Sequence, residues 1–274
     1  MGYQFRYSVA ISEESLTENT PVLFRGDIFK SILTAKTLGY DAVELHLRNA
    51  SEVDGNGLRK FCDKNGMSIS ALATGLESSL NRLTMQDKDT EARMKIMQSM
   101  KAHIDLANSL NCTVIIGMVR GNIRANEKEA GMNCFKEQLM ELLQYAAGKV
   151  KIVIEAINFY INNYLNTVVE TADFVREFGA SSLGLHIDTH HMNIQDYDPI
   201  ASIHYAGKTI NYVHFAEINR MYPGAGRMDF PVIMNALKDV SYQGYISIEC
   251  IPVPDAYTAA KRSIDYLKSI YRTV

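Results

Sequence analysis

Eight short apolar runs, rich in β-branched residues, alternate along the chain with longer segments in which apolar residues recur three and four positions apart. The longer segments are typical of amphipathic helices, and DIFKSILTAKTLG and ARMKIMQSMKAHIDLANSLN end in the Gly or Asn that closes many helices. The predicted strands cover residues 7–12, 42–47, 68–74, 112–118, 151–158, 183–188, 211–217 and 245–250. Eight strand–helix units predict one α/β domain, a single (β/α)8 or TIM barrel over residues 1–274. A doubly wound sheet would have a Gly-rich first turn, which the chain lacks.

The composition favours an intracellular protein that acts on small molecules. A net charge of −3 and a pI near 6.2 leave no basic footprint for nucleic acid. The chain has no apolar run of about 18 residues and no secretory signal pattern, so we expect no membrane association and a cytoplasmic location. The cysteines at 62, 112, 134 and 250 are far apart and form no CxxC pair, which predicts reduced thiols.

Four polar residues lie late in consecutive predicted strands, where catalytic groups of such barrels are found. They are Glu155, Asp188, His214 and Glu249, from the fifth to the eighth strands. Successive members are 33, 26 and 35 residues apart, about one strand–helix unit each, so they should lie side by side on one rim. One glutamate at a strand end is more often a hydrogen-bonded surface residue, whereas an ordered set of four favours a site.

Three carboxylates converging in a half-buried mouth would repel one another unless a cation lay among them. The quartet therefore predicts one divalent metal ion. Three oxygen ligands and one imidazole suit Mn²⁺, Mg²⁺ or Co²⁺ better than a thiolate-preferring ion, and Zn²⁺ stays open.

The chain resembles the xylose isomerase-like barrels, and most closely the ketose 3-epimerases of the tagatose and psicose type; hydroxypyruvate isomerases and inosose dehydratases are relatives. The similarity runs over nearly the whole chain and is strongest in IEAIN, DTHHMN, HFAEINRMYPGAG and GYISIE. By this resemblance the metal ligands would be Glu155, Asp188, His214 and Glu249. His191 and Arg220 would contact a sugar substrate, and a homo-oligomer, a dimer or tetramer, is implied.

Two glutamates beside one metal suggest chemistry through an enediolate. A bound metal would polarise a ketose carbonyl and acidify the neighbouring C–H. Glu155 and Glu249, on opposite flanks of the quartet, would be the catalytic proton carriers, as epimerisation requires. Proton movement between adjacent carbons would instead make an aldose–ketose isomerase, and loss of a hydroxyl group would make a dehydratase.

One stretch departs from the family pattern. In EAINFYINNY, Phe159 and Ile161 occupy positions where the epimerases have an arginine and a substrate-binding glutamate. The substrate pocket near Asn158, itself a predicted substrate contact, should therefore be more apolar. A smaller, deoxy or otherwise modified sugar is then favoured over a standard ketohexose.

The remaining histidines near these strands have weaker signals. Glu44 and His46 share a face of the second strand, and His46 is a candidate substrate contact against the alternative of barrel packing. His186 lies one layer below Asp188 and is expected to be buried and hydrogen-bonded. His190 occupies the variable position of DTHHMN and is expected in a loop without a chemical role.

Two further functions compete with a sugar isomerase or epimerase. An abasic-site endonuclease of this barrel class would need a larger His-rich zinc cluster and a DNA-binding surface, which the acidic pI disfavours. A barrel that binds sugar or metal without turnover would have no need of two opposed proton carriers.

Overall fold

The computed structural model describes residues 4–271, in which eight parallel strands close into a barrel. Closure is complete because β1 pairs with both β2 and β8. A two-residue strand, Phe24–Arg25, adds to the end of β1. The barrel strands are β1 (Arg6–Ser12), β2 (Ala42–His46), β3 (Ser68–Ala73), β4 (Thr113–Ile116), β5 (Ile152–Glu155), β6 (Leu183–Asp188), β7 (Ile210–Phe215) and β8 (Tyr245–Ile248). The predicted (β/α)8 barrel is confirmed; residues 1–3 and 272–274 of the predicted domain lie outside the described residues.

Helices surround the barrel and connect its strands. They are α1 (Ile28–Leu38), α2 (Gly55–Asn65), α3 (Gly75–Ser79), α4 (Thr90–Leu110), α5 (Lys128–Ala146), α6 (Val168–Phe178), α7 (Thr189–Gln195), α8 (Pro199–Ala206), α9 (Phe230–Asp239) and α10 (Ala256–Tyr271). Short 3₁₀ helices cover Ala50–Glu52, Met118–Arg120 and Gly207–Thr209. Among the described residues, no helix is both long and apolar enough to cross a membrane.

Most strands end earlier than the apolar pattern predicts. The sixth strand matches its prediction, but the predicted runs 112–118 and 151–158 shorten to Thr113–Ile116 and Ile152–Glu155. Val119 and Ile157, beyond these two strands, are still buried. The apolar pattern therefore extends beyond the last residue of each strand, because the first residues of the connecting segments remain in the core.

The core has two layers. The larger apolar cluster lies between the strands and the helices, and a small one, built around Ala71, Ile115 and Tyr212, fills the barrel interior. Much of the remaining interior is polar, with Glu44 and His186 both fully buried. The residues below the upper rim of the barrel can therefore serve as hydrogen-bond partners for a site at that rim.

Candidate functional site

The predicted quartet meets at the C-terminal mouth of the barrel. Glu155 and Asp188 are the last residues of β5 and β6, His214 is the next-to-last residue of β7, and Glu249 directly follows β8. Asp188 and His214 are register partners in adjacent strands. Asp188 is fully buried, and the side chains of His214 and Glu249 are 2% and 12% exposed. The strand ends thus place all four groups in one nearly water-free space.

The ligand atoms of these residues converge. Nδ1 of His214 lies 3.6 Å from Oδ2 of Asp188 and 3.3 Å from Oε2 of Glu249. Ligand atoms of Asp188, His214 and Glu249 lie within 4.8 Å of one another, and so do those of Glu155, Asp188 and His191. Asp188 belongs to both groups, one that contains Glu155 and one that contains Glu249.

Contacts at both oxygens orient the carboxylate of Asp188. Its Oδ1 accepts a hydrogen bond from the His190 backbone N–H at 2.8 Å and so caps the N-terminus of α7. This contact turns Oδ2 toward His214 and Arg220, whose Nη1 is 2.5 Å away. The second terminal nitrogen of Arg220 contacts the carboxylate of Glu249. Arg220, predicted to hold substrate, is therefore placed on two of the predicted metal ligands.

Behind His214, a buried carboxylate fixes the imidazole. Oε2 of Glu44 accepts hydrogen bonds from Nε2 of His214 and from the Tyr212 hydroxyl, each at 2.8 Å. Its Oε1 accepts one from Nε2 of His46, also at 2.8 Å. Because Nε2 of His214 donates to Glu44, Nδ1 is the ring atom that faces Asp188 and Glu249, and in the neutral ring Nδ1 carries the lone pair. Sequence reasoning noted Glu44 only as sharing a face with His46; its contact with His214 was missed.

The residues present fit a divalent cation. Nδ1 of His214 is buried and has no hydrogen-bond partner among the described residues, although carboxylate oxygens of Asp188 and Glu249 are close. Burial raises the pKa of Glu155 to about 7. Burial alone would lower the pKa of His214. The negative charges and hydrogen bonds of Glu44 and Asp188 have the larger effect and raise this pKa to about 10. The cluster therefore attracts positive charge and offers the oxygen and imidazole donors that Mn²⁺, Mg²⁺, Co²⁺ or Zn²⁺ accept.

His191 faces the cavity as a neutral imidazole. Its Nδ1 accepts a hydrogen bond from the Asn158 side-chain amide at 2.7 Å, and its Nε2 lies 3.6 Å from Oε1 of Glu155. Burial lowers the pKa of His191 to about 3. Asn158 is 2% exposed and is not among the described residues that line the cavity. Its position behind His191 favours orientation of that ring over direct contact with substrate.

Two histidines differ from their predictions. His186 is fully buried, as predicted, but neither ring nitrogen has a hydrogen-bond partner among the described residues. Its ring instead packs edge-on against His214, with centroids 4.1 Å apart. His190 lies in α7 rather than in a loop, lines the cavity, and its Nδ1 is 2.7 Å from the Ile218 carbonyl oxygen. The contacts of both histidines depend on how side chains pack inside the barrel and at its mouth, which the sequence pattern does not show.

Gly117 is a second residue that sequence reasoning missed. It follows β4, and a Cβ at this position would lie 2.4 Å from Oε2 of Glu155. Any other residue at this position would displace the Glu155 carboxylate, because its Cβ would overlap with Oε2. The available signal was a glycine inside the predicted buried strand 112–118.

The cluster forms one side of a cavity of about 520 Å³. Seven of its lining residues carry charge or an imidazole ring: His46, Glu155, His190, His191, His214, Arg220 and Glu249. His46, a predicted substrate contact, reaches this cavity and lies 3.7 Å from Oε1 of Glu249. A larger cavity of about 770 Å³ lies at the opposite, N-terminal end of the strands, away from the end where barrels of this class hold their active sites.

Comparison with known proteins identifies the class of this barrel. The model of the xylose isomerase-like TIM barrel family matches residues 32–270, so the chain belongs to that family, as its motifs predict. The L-ribulose 3-epimerase of Methylomonas sp. (strain DH-1) is 30% identical over 233 residues, which cover 80% of this chain and 77% of that protein. The L-ribulose 3-epimerase of Mesorhizobium japonicum is 26% identical over 229 residues, 82% of this chain and 76% of the relative.

Solved structures share the fold. The apo 3-keto-D-glucoside 4-epimerase from E. coli superposes with a TM-score of 0.81 at 18% identity, covering 96% of this chain and 99% of that one. At this identity the comparison concerns the barrel architecture alone.

Proposed function

We propose that the chain is a divalent-metal-dependent epimerase of ketoses or related keto-sugars that works through an enediolate. The prediction of an isomerase-class enzyme is confirmed by its relatives, which include several named ketose 3-epimerases. The observation that supports the finer proposal is that Asp188 shares one possible ligand group with Glu155 and another with Glu249. Inversion at a carbon requires a proton carrier at each face, and these two glutamates are the candidates.

In this proposal Glu155, Asp188, His214 and Glu249 hold the metal. When bound, the cation polarises the substrate carbonyl and acidifies the adjacent C–H. His214 is held with Nδ1 toward the cluster by its hydrogen bond to Glu44. His191 presents a neutral Nε2–H beside Glu155, where it can donate to a substrate oxygen.

The glutamates carry the protons. One removes the proton from one face of the carbon, and the other returns a proton to the opposite face. Which glutamate acts first depends on the starting epimer, because the same two groups must serve both directions of a reversible reaction. Arg220, in contact with Asp188 and Glu249, supplies positive charge near the developing oxyanion.

The direct test is an assay of metal-stripped and Mn²⁺-reconstituted protein. Each sample is incubated with L-ribulose and with D-psicose, the sugars in the relatives' names, and the product mixture is resolved by chromatography. We expect interconversion with the C3 epimer only after Mn²⁺ is added. Aldose products would instead favour an aldose–ketose isomerase, and loss of water would favour a dehydratase. Absence of any product, together with absence of Mn²⁺ binding, would contradict the proposal.

The sequence-based predictions of a cytoplasmic location and of a homo-oligomeric dimer or tetramer stay predictions. A small-molecule sugar substrate is supported by the epimerases among the relatives.

A further inference from the structure

Arg120 is a fully buried arginine whose guanidinium binds backbone carbonyl oxygens. Its Nη1 donates a hydrogen bond to the Glu155 carbonyl at 2.6 Å. Its Nη2 donates to the carbonyls of Tyr164 and Leu165 at 3.1 and 3.2 Å, and its Nε has no hydrogen-bond partner among the described residues. A buried charge is costly unless its partners compensate for the lost water, so these three carbonyls show what Arg120 holds.

The three carbonyl oxygens belong to the two ends of one loop. Glu155 is the last residue of β5, and Tyr164 and Leu165 lie shortly before α6. Residues 156–163, which we call the β5–α6 loop, lie between these two anchors. A guanidinium has two terminal nitrogens in a fixed planar geometry and can bind both anchors at once. Arg120 therefore closes the β5–α6 loop at its base.

The β5–α6 loop carries groups of the proposed active site. The side-chain amide of Asn158 donates to Nδ1 of His191 at 2.7 Å, and Nε2 of the same ring lies 3.6 Å from Oε1 of Glu155. Ile157 and Ile161, from the same loop, line the cavity. Displacement of the loop would therefore release the His191 ring and change one wall of the cavity.

Asparagine side chains attach the far half of the loop to the segment that follows β4. The side-chain amide of Asn162 donates to the Gly121 carbonyl at 2.7 Å. The side chain of Asn163 accepts a hydrogen bond from the Ile123 N–H at 3.0 Å and donates one to the Ile123 carbonyl at 2.6 Å. The segment after β4 therefore holds the β5–α6 loop at several points, with Arg120 at the buried end.

We infer that Arg120 is a positioning residue for the proposed reaction. It acts through the β5–α6 loop, which directs Asn158 at His191 and keeps the Nε2–H of that ring beside Glu155. Arg120 is not among the described residues that line the cavity, so its effect passes through other residues. The kinetic consequence rests on the proposed function, whereas the effect on His191 is observable without turnover.

The kinetic test compares wild type and Arg120→Lys as full-length, Mn²⁺-loaded proteins. Lysine keeps the positive charge, but its single nitrogen cannot replace the two terminal nitrogens that bind opposite ends of the loop. L-Ribulose is the probe, and its deuterium uptake from deuterated water, followed by NMR, gives kcat/KM. We expect Arg120→Lys to lower kcat/KM by at least about tenfold. Unchanged kcat/KM would overturn the inference, since charge alone would then suffice.

A double-mutant cycle separates positioning from general destabilisation. If Arg120 acts through Asn158, Arg120→Lys should lower kcat/KM by less than about threefold in a protein that already carries Asn158→Ala. Independent effects would instead multiply, so that Arg120→Lys costs the same factor with and without Asn158. Such multiplication would overturn the inference.

The tautomer of His191 provides a readout that needs no substrate. Because Asn158 donates to Nδ1, the neutral ring should carry its proton on Nε2. Nitrogen chemical shifts of ¹⁵N-histidine-labelled protein in Mg²⁺ report the tautomer, and His191→Asn assigns the signals. We expect one Nε2–H tautomer in the wild type and a mixture of tautomers in Arg120→Lys. The same single tautomer in both proteins would overturn the inference.

A second loop variant covers the case in which Arg120→Lys does not fold. Asn163→Ala removes the two side-chain hydrogen bonds with Ile123 at an exposed position, so the protein is expected to fold. We expect the same changes in the His191 tautomer and in kcat/KM, but smaller ones. Absence of both changes would overturn the inference.

Arg93→Lys is the matched control. The Arg93 guanidinium also donates to two backbone carbonyls, those of Asp87 and Lys88, and Arg93 is not among the described residues that line the cavity. We expect wild-type kcat/KM and a wild-type His191 tautomer. Changes as large as those in Arg120→Lys would overturn the inference, because they would not arise from the β5–α6 loop.

The outcomes separate this inference from the proposed function. Absence of deuterium uptake by the wild type with both L-ribulose and D-psicose would contradict the proposed function, and the His191 tautomer would then decide the inference. Normal turnover by the wild type, with kcat/KM and the tautomer unchanged in Arg120→Lys and Asn163→Ala, would overturn the inference and leave the proposed function standing.

Discussion

Glu44 and His214, 170 residues apart in the chain, are joined by a buried hydrogen bond of 2.8 Å between Oε2 and Nε2. Both side chains are at most 2% exposed. The bond fixes the ring orientation and leaves Nδ1 directed at Asp188 and Glu249. Histidines that bind metal commonly donate their second ring N–H to a carboxylate, and such partners tune metal affinity.

Replacing Glu44 should therefore weaken metal binding without touching a ligand. We expect Glu44→Gln to reduce Mn²⁺ affinity by about 10- to 100-fold, measured by isothermal titration calorimetry. Glu77→Gln is the control, because Glu77 is also a buried glutamate but hydrogen-bonds Ser99 and Asn81, away from the site. Equal losses of Mn²⁺ affinity in both variants would mean that general destabilisation, rather than ring orientation, is responsible.

In the metal-free protein, Glu155 and His214 should each contribute less stability as pH rises, whereas His191, whose pKa burial lowers to about 3, contributes more between about pH 3 and 6.5. Folded Glu155, with a pKa of about 7, keeps a proton that the unfolded carboxyl releases near 4.5, so stability falls between about pH 4.5 and 7. This shift in the pKa of Glu155 corresponds to a loss of roughly 3 kcal/mol in the free energy of unfolding over that range. His214, raised to a pKa of about 10, contributes stability that is fully present below about pH 6.5 and is lost toward pH 10. Both groups act in the same direction.

Bound metal should offset this loss, because it holds both groups in their deprotonated forms. We expect the gain in Tm on adding Mn²⁺ to be larger at about pH 8 than at about pH 5.5. Differential scanning fluorimetry in Mn²⁺ and in EDTA measures it. A gain that does not change with pH would show that neither Glu155 nor His214 exchanges a proton for the metal.

Gly117 should be irreplaceable even by alanine. The added methyl group would lie 2.4 Å from Oε2 of Glu155 and displace the carboxylate, so we expect Gly117→Ala to lower kcat by about 100-fold and to weaken Mn²⁺ binding. Gly75→Ala provides the comparison, since a Cβ there meets no atom within 4 Å and Gly75 also lines the cavity. Steady-state kinetics and Mn²⁺ titration check both variants, and normal binding by Gly117→Ala would refute the steric argument.

The order of strands and the residues at their ends could be predicted from the sequence. Asp188 ends β6 at its predicted boundary, and the spacing of about one strand–helix unit places Glu155, His214 and Glu249 around the same mouth. Both results follow from local periodicity and from the geometry of a closed parallel barrel.

Contacts across the barrel could not be predicted in this way. Glu44 meets His214 because β2 and β7 face each other through the barrel interior, which depends on strand stagger and side-chain rotamers. The hydrogen bond between Asn158 and His191 likewise depends on side-chain rotamers that the sequence does not specify. His186 was expected to be hydrogen-bonded because buried polar groups usually are, yet its ring nitrogens have no partner among the described residues.

In the proposed mechanism, Glu155 and Glu249 exchange protons at opposite faces of one carbon. This exchange is tested by following deuterium uptake by NMR, starting separately from each of two C3 epimers, with Mn²⁺-saturated wild type, Glu155→Gln and Glu249→Gln. We expect each variant to lose epimerisation by at least about 100-fold, and residual exchange to persist on one epimer in one variant and on the other epimer in the second. Residual exchange on the same epimer in both variants, or epimerisation by the wild type without deuterium uptake, would contradict the assignment of one glutamate to each face.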